Sequence, residues 1–247
     1  MDDITQLNVY KRMGWPSNMQ NLQFYEVAVA PFGGPIALIP KHPRPASIDP
    51  YVRIFNSLGV ELRKFQSYDD HVKALGWSDE EELFCVLRDG RIQQFSVDGG
   101  MTSFYHIFND DDDAVDVAKV WPGGLVVISC NFRIVVFPYL VGKPEPLDFK
   151  AHNFTVNQYA SAMSMISYHC NDSGQNEVIY SLWDTRAHCS TLVVSTKDKV
   201  LEVPLESLYP ARPGDVNCVV DVAVHDDGKF VALVTVSGSV TVFSSDF

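Results

Sequence analysis

The chain has 247 residues, of which 46% are hydrophobic, 12% aromatic and 20% charged, and its formal net charge is −12. This length and composition allow one sizeable core or a ring of smaller ones, and they exclude an intrinsically disordered chain. The acidic balance argues against a nucleic-acid partner and against electrostatic docking on anionic lipid, because both surfaces recruit clustered basic residues.

The first strongly apolar segment follows a polar N-terminus. Residues 1–23 are irregular, with acids where a signal peptide carries bases and without an apolar centre, so no secretory leader is expected. Residues 26–40 read EVAVAPFGGPIALIP. Because Pro31 and Pro35 cannot donate to a sheet ladder, this segment predicts a strand, a sharp turn at residues 32–35, and a second strand.

The next two strands complete a four-stranded unit. A proline-rich loop at residues 41–50 leads to a third strand at Tyr51–Phe55. A turn at residues 57–59 then leads to a fourth strand at Val60–Phe65. Short strands joined in this way along the chain predict an antiparallel meander.

The stretch VKALGWSDEEELFCVLRDGRIQQF, residues 72–95, predicts three further strands joined by two turns. The first strand spans Val72–Trp77, and the third closes at Phe95. Before the third strand, Asp89-Gly90 predicts a two-residue hairpin turn of type I′, since glycine tolerates the positive φ that this turn requires.

An aromatic residue closes the third strand of each unit, and these aromatics recur at a regular interval. Phe55, Phe95 and Phe137 lie 40 and 42 residues apart, and Phe243 ends a similar meander near the C-terminus. A period of about 40–45 residues is typical of a four-stranded propeller blade.

The interval of 106 residues from Phe137 to Phe243 has room for two or three further units. The segment Val200–Leu205 fits a third strand, and residues 158–184 fit an irregular unit. The predicted fold class is therefore all-β: a β-propeller of four-stranded blades that is incomplete, with about five to six blades of a larger ring. A β-sandwich with accidental spacing is the alternative.

Neither the cysteines nor the apolar runs point to an extracellular or membrane protein. The chain has five cysteines, an odd number, and no pair has CxxC spacing, which suits a reducing compartment. The longest apolar run, residues 124–141, is interrupted by Ser129, Asn131 and Arg133, so it predicts a hairpin and not a membrane span. A cytoplasmic protein without direct membrane insertion is expected.

No constellation in the sequence indicates a reaction centre. Two His-Cys dipeptides, at 169–170 and 188–189, suggest zinc, but adjacent strand residues point to opposite faces, and a shared site needs neighbouring strands. Acids such as Asp184, Glu202 and Asp221 have no spacing that fixes a catalytic pair. Neither a GxSxG elbow nor a GxxxxGK[ST] phosphate loop is present. We therefore expect no catalytic, cofactor-binding or metal-binding residues.

Two motifs in the first half of the chain resemble a known family. Residues 29–40 read VAPFGGPIALIP, and residues 75–83 read LGWSDEEEL. In this order and at this separation they resemble the N-terminal region of the vacuolar protein sorting subunit sixteen family, a core subunit of the class C tethering complexes HOPS and CORVET. The final hairpin, Val222–Phe243, is similar to a later blade of that region, and residues 98–216 match weakly.

The resemblance implies a non-enzymatic scaffold region of a vesicle-tethering complex that acts in endosome-to-vacuole transport and membrane fusion. It implies a β-propeller followed by an α-solenoid, and contact with the Sec1/Munc18-type fusion regulator is expected only in that solenoid. Residues 1–247 are expected to form a single, partial propeller region from a fragment, a short isoform or a truncated gene model. The expected partners are the other class C subunits, on late endosome and vacuole or lysosome membranes.

The motif residues are expected to be architectural. The Gly33–Pro35 segment is expected to form a turn that few other triplets can make, and Gly76 to allow close approach beside the Trp77 ring. Trp77 and Trp121 end the first strands of consecutive units, so both are expected to pack between blades. The motif residues are Pro31, Phe32, Gly33, Gly34, Pro35, Leu75, Gly76, Trp77, Ser78, Glu81, Leu83, Asp89 and Gly90.

Two alternatives stay open: a propeller hydrolase with carboxylates around the ring axis, and a generic peptide-binding propeller from another trafficking or pore complex. A hydrolase requires at least two carboxylates that converge in an axial pocket with shifted pKa values. An incomplete ring also leaves an apolar blade face in water, so the isolated chain is expected to be poorly soluble.

Overall fold

Almost all regular structure in the chain is β-strand. The computed structural model describes residues 19, 21–41, 45–46, 48–66, 71–108, 113–138, 140, 146–149, 159–160, 166–170, 176–184, 189–204, 218–225 and 230–244. In that part of the chain, twenty strands form five sheets, which confirms the predicted all-β class. No helix within these ranges has the length and apolar character that a membrane crossing needs.

The five sheets follow one another along the chain, and we number them blades 1 to 5. Blade 1 contains β1 (Tyr25–Val29), β2 (Ile36–Pro40), β3 (Tyr51–Phe55) and β4 (Glu61–Gln66). Blade 2 contains β5 (Val72–Trp77), β6 (Leu83–Leu87), β7 (Arg91–Phe95) and β8 (Met101–His106). Blade 3 contains β9 (Val115–Trp121), β10 (Gly124–Ser129), β11 (Ile134–Phe137) and β12 (Leu147–Phe149).

Blades 4 and 5 depart from the four-stranded plan. Blade 4 contains β13 (Tyr159–Ala160), β14 (Ile166–Cys170), β15 (Asn176–Asp184), β16 (Cys189–Ser195) and β17 (Val200–Pro204). Blade 5 contains β18 (Val219–Val224), β19 (Phe230–Thr235) and β20 (Val240–Ser244). Two single 3-10 turns, Leu22–Phe24 and Pro31–Gly33, flank β1.

A five-residue turn recurs between paired strands. The N–H of its first residue donates to the carbonyl of the fifth, and the N–H of the fourth donates back to the carbonyl of the first. The turn occurs at residues 56–60, 78–82, 96–100, 129–133 and 235–239. The fourth residue has positive φ in every case, and it is glycine in three of them and Glu81 or Phe132 in the other two.

The blades are arranged radially. One strand of each blade contacts its counterpart in the next blade: β1 contacts β5, β5 contacts β9, β9 contacts β14, and β14 contacts β18. Each of the four junctions holds its own cluster of buried apolar side chains. A core divided into layers between successive sheets is that of a β-propeller, and it confirms the predicted architecture.

The ring is open at blade 5 within the described residues. The side chains of Leu233 and Val231 are buried against blade 4. On the opposite face, Phe230, Val240 and Val242 are 49%, 65% and 62% exposed. A blade face of this composition is normally covered by a further sheet. The open face agrees with the predicted incomplete propeller.

Blade 4 differs from the sequence-based prediction. Residues 158–184 and Val200–Leu205 are predicted as separate units, but β13 to β17 form one sheet. The nine-residue strand β15 is long enough to pair with both β13 and β14 along one edge and with β16 along the other. The segment Val200–Pro204 is therefore the outermost strand and not a third strand, and the described blades number five.

The predicted type I′ hairpin at Asp89-Gly90 is also wrong. Strand β6 ends at Leu87 and β7 begins at Arg91, so the connection has three residues. The Gly90 N–H donates to the Leu87 carbonyl over 3.1 Å, and only Gly90 of this turn has positive φ, at 84°. Three-residue hairpin loops commonly combine a type I turn with a left-handed glycine in this way.

Candidate functional site

The two family-like motifs meet at the junction of blades 1 and 2. The Trp77 indole N–H donates to the carbonyl of Ala28 on β1 over 3.2 Å, and the ring is 2% exposed. Leu75 and Leu83 pack in the same apolar cluster, together with Ala30. Buried Trp N–H groups need a partner, so this bond fixes the end of β5 against the first blade.

The first motif forms a compact loop between β1 and β2. Pro31–Gly33 is a 3-10 turn, Gly33 has a φ of 78°, and the Ala30 N–H donates to the Pro35 carbonyl over 2.9 Å. A Cβ on Gly34 would lie 2.9 Å from the Ala30 Cβ, so this position has no room for a side chain. The side chain of Phe32 lies outside the described part of the chain.

The second motif supplies the turn that faces this loop. The buried Ser78 hydroxyl accepts hydrogen bonds from the N–H groups of Glu80 and Glu82, over 3.3 and 3.2 Å. Glu81 has a φ of 58°, a left-handed conformation that non-glycine residues rarely adopt. The Glu81 Oε1 atom would lie 3.0 Å from a Cβ on Gly34, so the two motifs are in direct apposition.

Gly76 sets the spacing between blades 2 and 3. A Cβ on Gly76 would lie 2.4 Å from the Cβ of Val120 on β9. The close approach that requires glycine is therefore to Val120, whereas the sequence suggested the Trp77 ring. The turn that follows β5, at residues 78–82, also contacts blade 3, because the Asp79 N–H donates to the carbonyl of Pro122 over 3.1 Å.

The two tryptophans predicted as equivalent face opposite neighbours. Trp77 packs against blade 1, whereas Trp121 packs in the cluster shared by blades 3 and 4. In blade 3 it is Val120 that packs against the preceding blade, blade 2, just as Trp77 of blade 2 packs against blade 1. An offset of one residue along a strand moves a side chain to the other face. Both tryptophans lie between blades, as expected.

Asp89 and Gly90 lie at the other end of blade 2, away from the two motifs. The Asp89 carboxylate accepts a hydrogen bond from the Arg91 N–H over 3.1 Å and pairs with the Arg91 side chain. A Cβ on Gly90 would lie 2.7 Å from the ring of Phe108, which is buried between blades 2 and 3. These residues thus form a separate turn.

A cavity of about 260 Å³ opens where blades 1 and 2 meet, at the end where β1 and β5 begin. Three cationic side chains line it, together with a histidine, an acid and a valine. The lining residues are Glu26, Lys41, His71, Val72, Lys73 and Arg88. Sequence reasoning missed this group, because its members are scattered over 63 positions and form no motif.

In the part of the chain that the structure describes, the acids of this region do not converge on the cavity as a pair. Glu26 is the one carboxylate among the described lining residues, and it lies 3.5 Å from the Lys41 ammonium. Asp116 is not one of the described lining residues, but the Lys73 ammonium donates to its backbone carbonyl over 3.0 Å. Burial raises the pKa of the Asp116 carboxyl, and the nearby charges of Lys73 and Arg88 oppose that rise.

The described residues include no group of three or more His, Cys, Asp or Glu side chains that could hold a metal ion. The cysteines of the two His-Cys dipeptides also lie far apart. Cys170 pairs with Asn176 and Cys189 with Asp184, and β15 runs between their strands. Eight residues of strand separate these pairing positions, which corresponds to about 27 Å. His188 lies outside the described residues.

The fold and the motifs have counterparts among known proteins. The family described as "Vps16, N-terminal region" matches residues 5–247. The chain is similar to the vacuolar protein sorting-associated protein 16 homolog of Drosophila melanogaster, with 29% identity over 126 residues. It is also similar to protein VACUOLELESS1 of Arabidopsis thaliana, with 25% identity over 132 residues.

These matches cover unequal shares of the proteins compared. Each alignment covers 49% of this chain but only 14% of the Drosophila protein and 15% of the Arabidopsis protein. Among solved structures, the chain is similar to the Cps50 (Swd1) β-propeller domain of Myceliophteria thermophila, with a TM-score of 0.54 and 12% identity. That likeness covers 90% of this chain and 67% of the propeller domain, and it supports the fold alone. The family match over almost the whole length shows that the chain belongs to the Vps16 N-terminal region family.

Proposed function

We propose that the chain is a non-enzymatic scaffold region of a class C vesicle-tethering complex of the HOPS or CORVET type. In this role it acts in transport from endosomes to the vacuole or lysosome and in the fusion of their membranes. The observation that carries the proposal is the family match over residues 5–247, in which both motifs take part. The names of the two relatives, a vacuolar protein sorting-associated protein 16 homolog and VACUOLELESS1, support a role connected with the vacuole.

The geometry of the motif residues supports an architectural role for them. Trp77 and Gly34 are directed into the junction of blades 1 and 2, and Gly76 and Gly90 into the junction of blades 2 and 3. Residues that set the distance between sheets keep a propeller rigid, and a rigid propeller presents fixed surfaces to partner proteins. The proposed partners are the other class C subunits, which would hold the protein on late endosome and vacuole membranes.

The alternative of a propeller hydrolase receives less support from the cavity. A hydrolytic site of that kind needs two carboxylates that face one substrate. Glu26 is the single lining carboxylate of the described cavity, and it is close to Lys41. A scaffold that binds proteins is more consistent with this arrangement.

Co-purification tests the proposal. The full-length protein, tagged at its chromosomal locus, is recovered from cells, and the co-purifying proteins are quantified by mass spectrometry. We expect the other class C subunits in near-stoichiometric amounts, and an untagged strain serves as the control. Recovery of the tagged protein without these subunits, or with the subunits of an unrelated complex, would count against the proposal.

A further inference from the structure

The described lining of the cavity between blades 1 and 2 is mainly basic, whereas the chain as a whole is acidic. The whole sequence has 31 acidic and 19 basic residues. Among the described residues that line the cavity, Lys41, Lys73 and Arg88 outnumber the one acid, Glu26. A concave site lined by one sign of charge focuses the electrostatic potential and attracts ligands of the opposite sign.

Two cationic groups of the cavity, those of Lys41 and Arg88, are available to a ligand. Lys41 and Glu26 are 3.5 Å apart with side chains 47% and 43% exposed, and an exposed pair of this kind is weak. The Arg88 guanidinium makes no hydrogen bond or close ion pair with another described residue, although its charge acts on Asp116. Arg88 thus keeps its planar set of donors for a carboxylate or phosphate group.

The walls of the cavity are held in place by the sheet backbone. The Arg88 N–H donates to the His71 carbonyl over 2.9 Å, and the Lys41 N–H donates to the Phe24 carbonyl over 2.8 Å. The Lys73 ammonium is oriented by the Asp116 carbonyl. The basic side chains therefore project from fixed points at one end of the two blades, which reduces the conformational entropy lost on binding.

We propose that this cavity binds an acidic peptide segment of a partner protein, with one carboxylate between Arg88 and Lys41. A peptide fits better than a membrane surface, because a chain with a net charge of −12 is repelled by anionic lipid, whereas one acidic side chain can enter a concave site. The Asp116 carboxylate would compete with the acidic side chain of the peptide for the basic residues, because its charge acts on Lys73 and Arg88. This inference does not depend on the identity of the tethering complex.

Peptide binding to the purified full-length protein tests the cavity. The probe is a fluorescein-labelled peptide of alternating glutamate and glycine, followed by anisotropy at low salt, with a glutamine–glycine peptide as the matched control. We expect saturable binding of the glutamate peptide alone. Arg88→Glu and Lys41→Glu should each weaken it about tenfold, as loss of one charge-assisted contact predicts. Asp116→Asn should strengthen it.

Lys197→Glu is the matched control variant, because it makes the same change of charge in an exposed turn of blade 4, and it should bind like the wild type. Circular dichroism of every variant confirms that it folds. The proposal is overturned if the glutamate peptide does not bind, if the glutamine peptide binds equally, or if Lys197→Glu weakens binding as much as Arg88→Glu. Binding to phosphatidylserine vesicles without binding to the peptide would overturn it as well.

Discussion

Gly76 shows how the absence of a side chain sets the distance between two blades. Its Cα faces the Val120 side chain so closely that an added Cβ would overlap it. Overpacking of a buried contact displaces side chains and backbone. Strands β5 and β9 would then be pushed apart along the inner part of the propeller.

We expect Gly76→Ala to lower the free energy of unfolding by about 1 to 3 kcal/mol, as measured by urea denaturation. Adding Val120→Gly should restore part of the loss, because it removes both the Cβ and the methyl groups that the new Cβ meets. Gly123→Ala is the control, since its Cβ would make only ordinary contacts of 3.4 Å or more. An unchanged stability of Gly76→Ala would contradict the contact.

Cys85 gives the structure a pH dependence with a predictable sign. Burial raises the pKa of this thiol from 9.0 to about 12. Above pH 9 the unfolded chain loses the proton before the folded chain does, so stability falls as pH rises through that window. Between pH 8 and pH 10 the wild type should lose about 1.4 kcal/mol more than Cys85→Ala.

Urea denaturation of both proteins at the two pH values measures this difference. Other groups with raised pKa values, such as Tyr180, contribute to both proteins and cancel in the comparison. Equal losses in the wild type and in Cys85→Ala would show that the thiol is not buried as described.

The sequence located the motif residues but not their contacts. The resemblance indicated Trp77 and Gly76, and packing between blades was expected for the tryptophans. The partners Ala28 and Val120 are ordinary apolar residues of strands, and nothing in their types marks them. Contacts of this kind depend on the stagger between sheets, which residue types alone do not specify.

Turns are the elements in which local sequence and long-range packing act together. Gly90 and Gly238 have nearly the same positive φ, at 84° and 79°, so any side chain carries the same backbone strain at both. Their surroundings differ. A Cβ on Gly238 would meet nothing within 4 Å, whereas one on Gly90 would lie 2.7 Å from the Phe108 ring.

We expect Gly238→Ala to cost about 1 kcal/mol from backbone strain alone, and Gly90→Ala to cost about 1 to 3 kcal/mol more. Thermal and urea denaturation of the two variants measure the difference, which reports the packing of the turn against Phe108. If the two substitutions cost the same, this turn does not press on the blade junction.

Strand prediction succeeded where the apolar pattern was regular and failed where strand length varied. Blades 1, 2, 3 and 5 follow the predicted order of strands. In blade 4, β15 is nine residues long and pairs with two strands along one edge. Segments that the sequence analysis assigns to two separate units therefore belong to one sheet. The prediction of a two-residue turn at Asp89-Gly90 failed because the same dipeptide also fits a three-residue loop, and the residue types do not distinguish the two.

For the whole molecule, the open face of blade 5 predicts self-association. Phe230, Val240 and Val242 form an apolar surface on one face of this sheet. The purified chain should form oligomers in analytical ultracentrifugation, and Val240→Lys with Val242→Lys should shift it toward monomer. Substitution of Leu62 and Met101 by lysine is the control, because both are exposed on outer strands and add the same charge.

A monomeric wild-type chain that melts cooperatively would contradict this prediction. So would an equal shift to monomer in the control variant, because the effect would then come from the added charge. The property belongs to the sheet face as a whole, because the exposed apolar residues lie together on it.

We propose that the family motifs build the junctions of the first three blades and do not themselves contact partner proteins. The most direct test of this claim is to measure, in parallel, the stability and the recovery of class C subunits for full-length wild type, Gly76→Ala and the Gly76→Ala/Val120→Gly double variant. The claim predicts that subunit recovery falls with stability in the single variant and returns with it in the double variant. Recovery that is lost while stability is unchanged would contradict it.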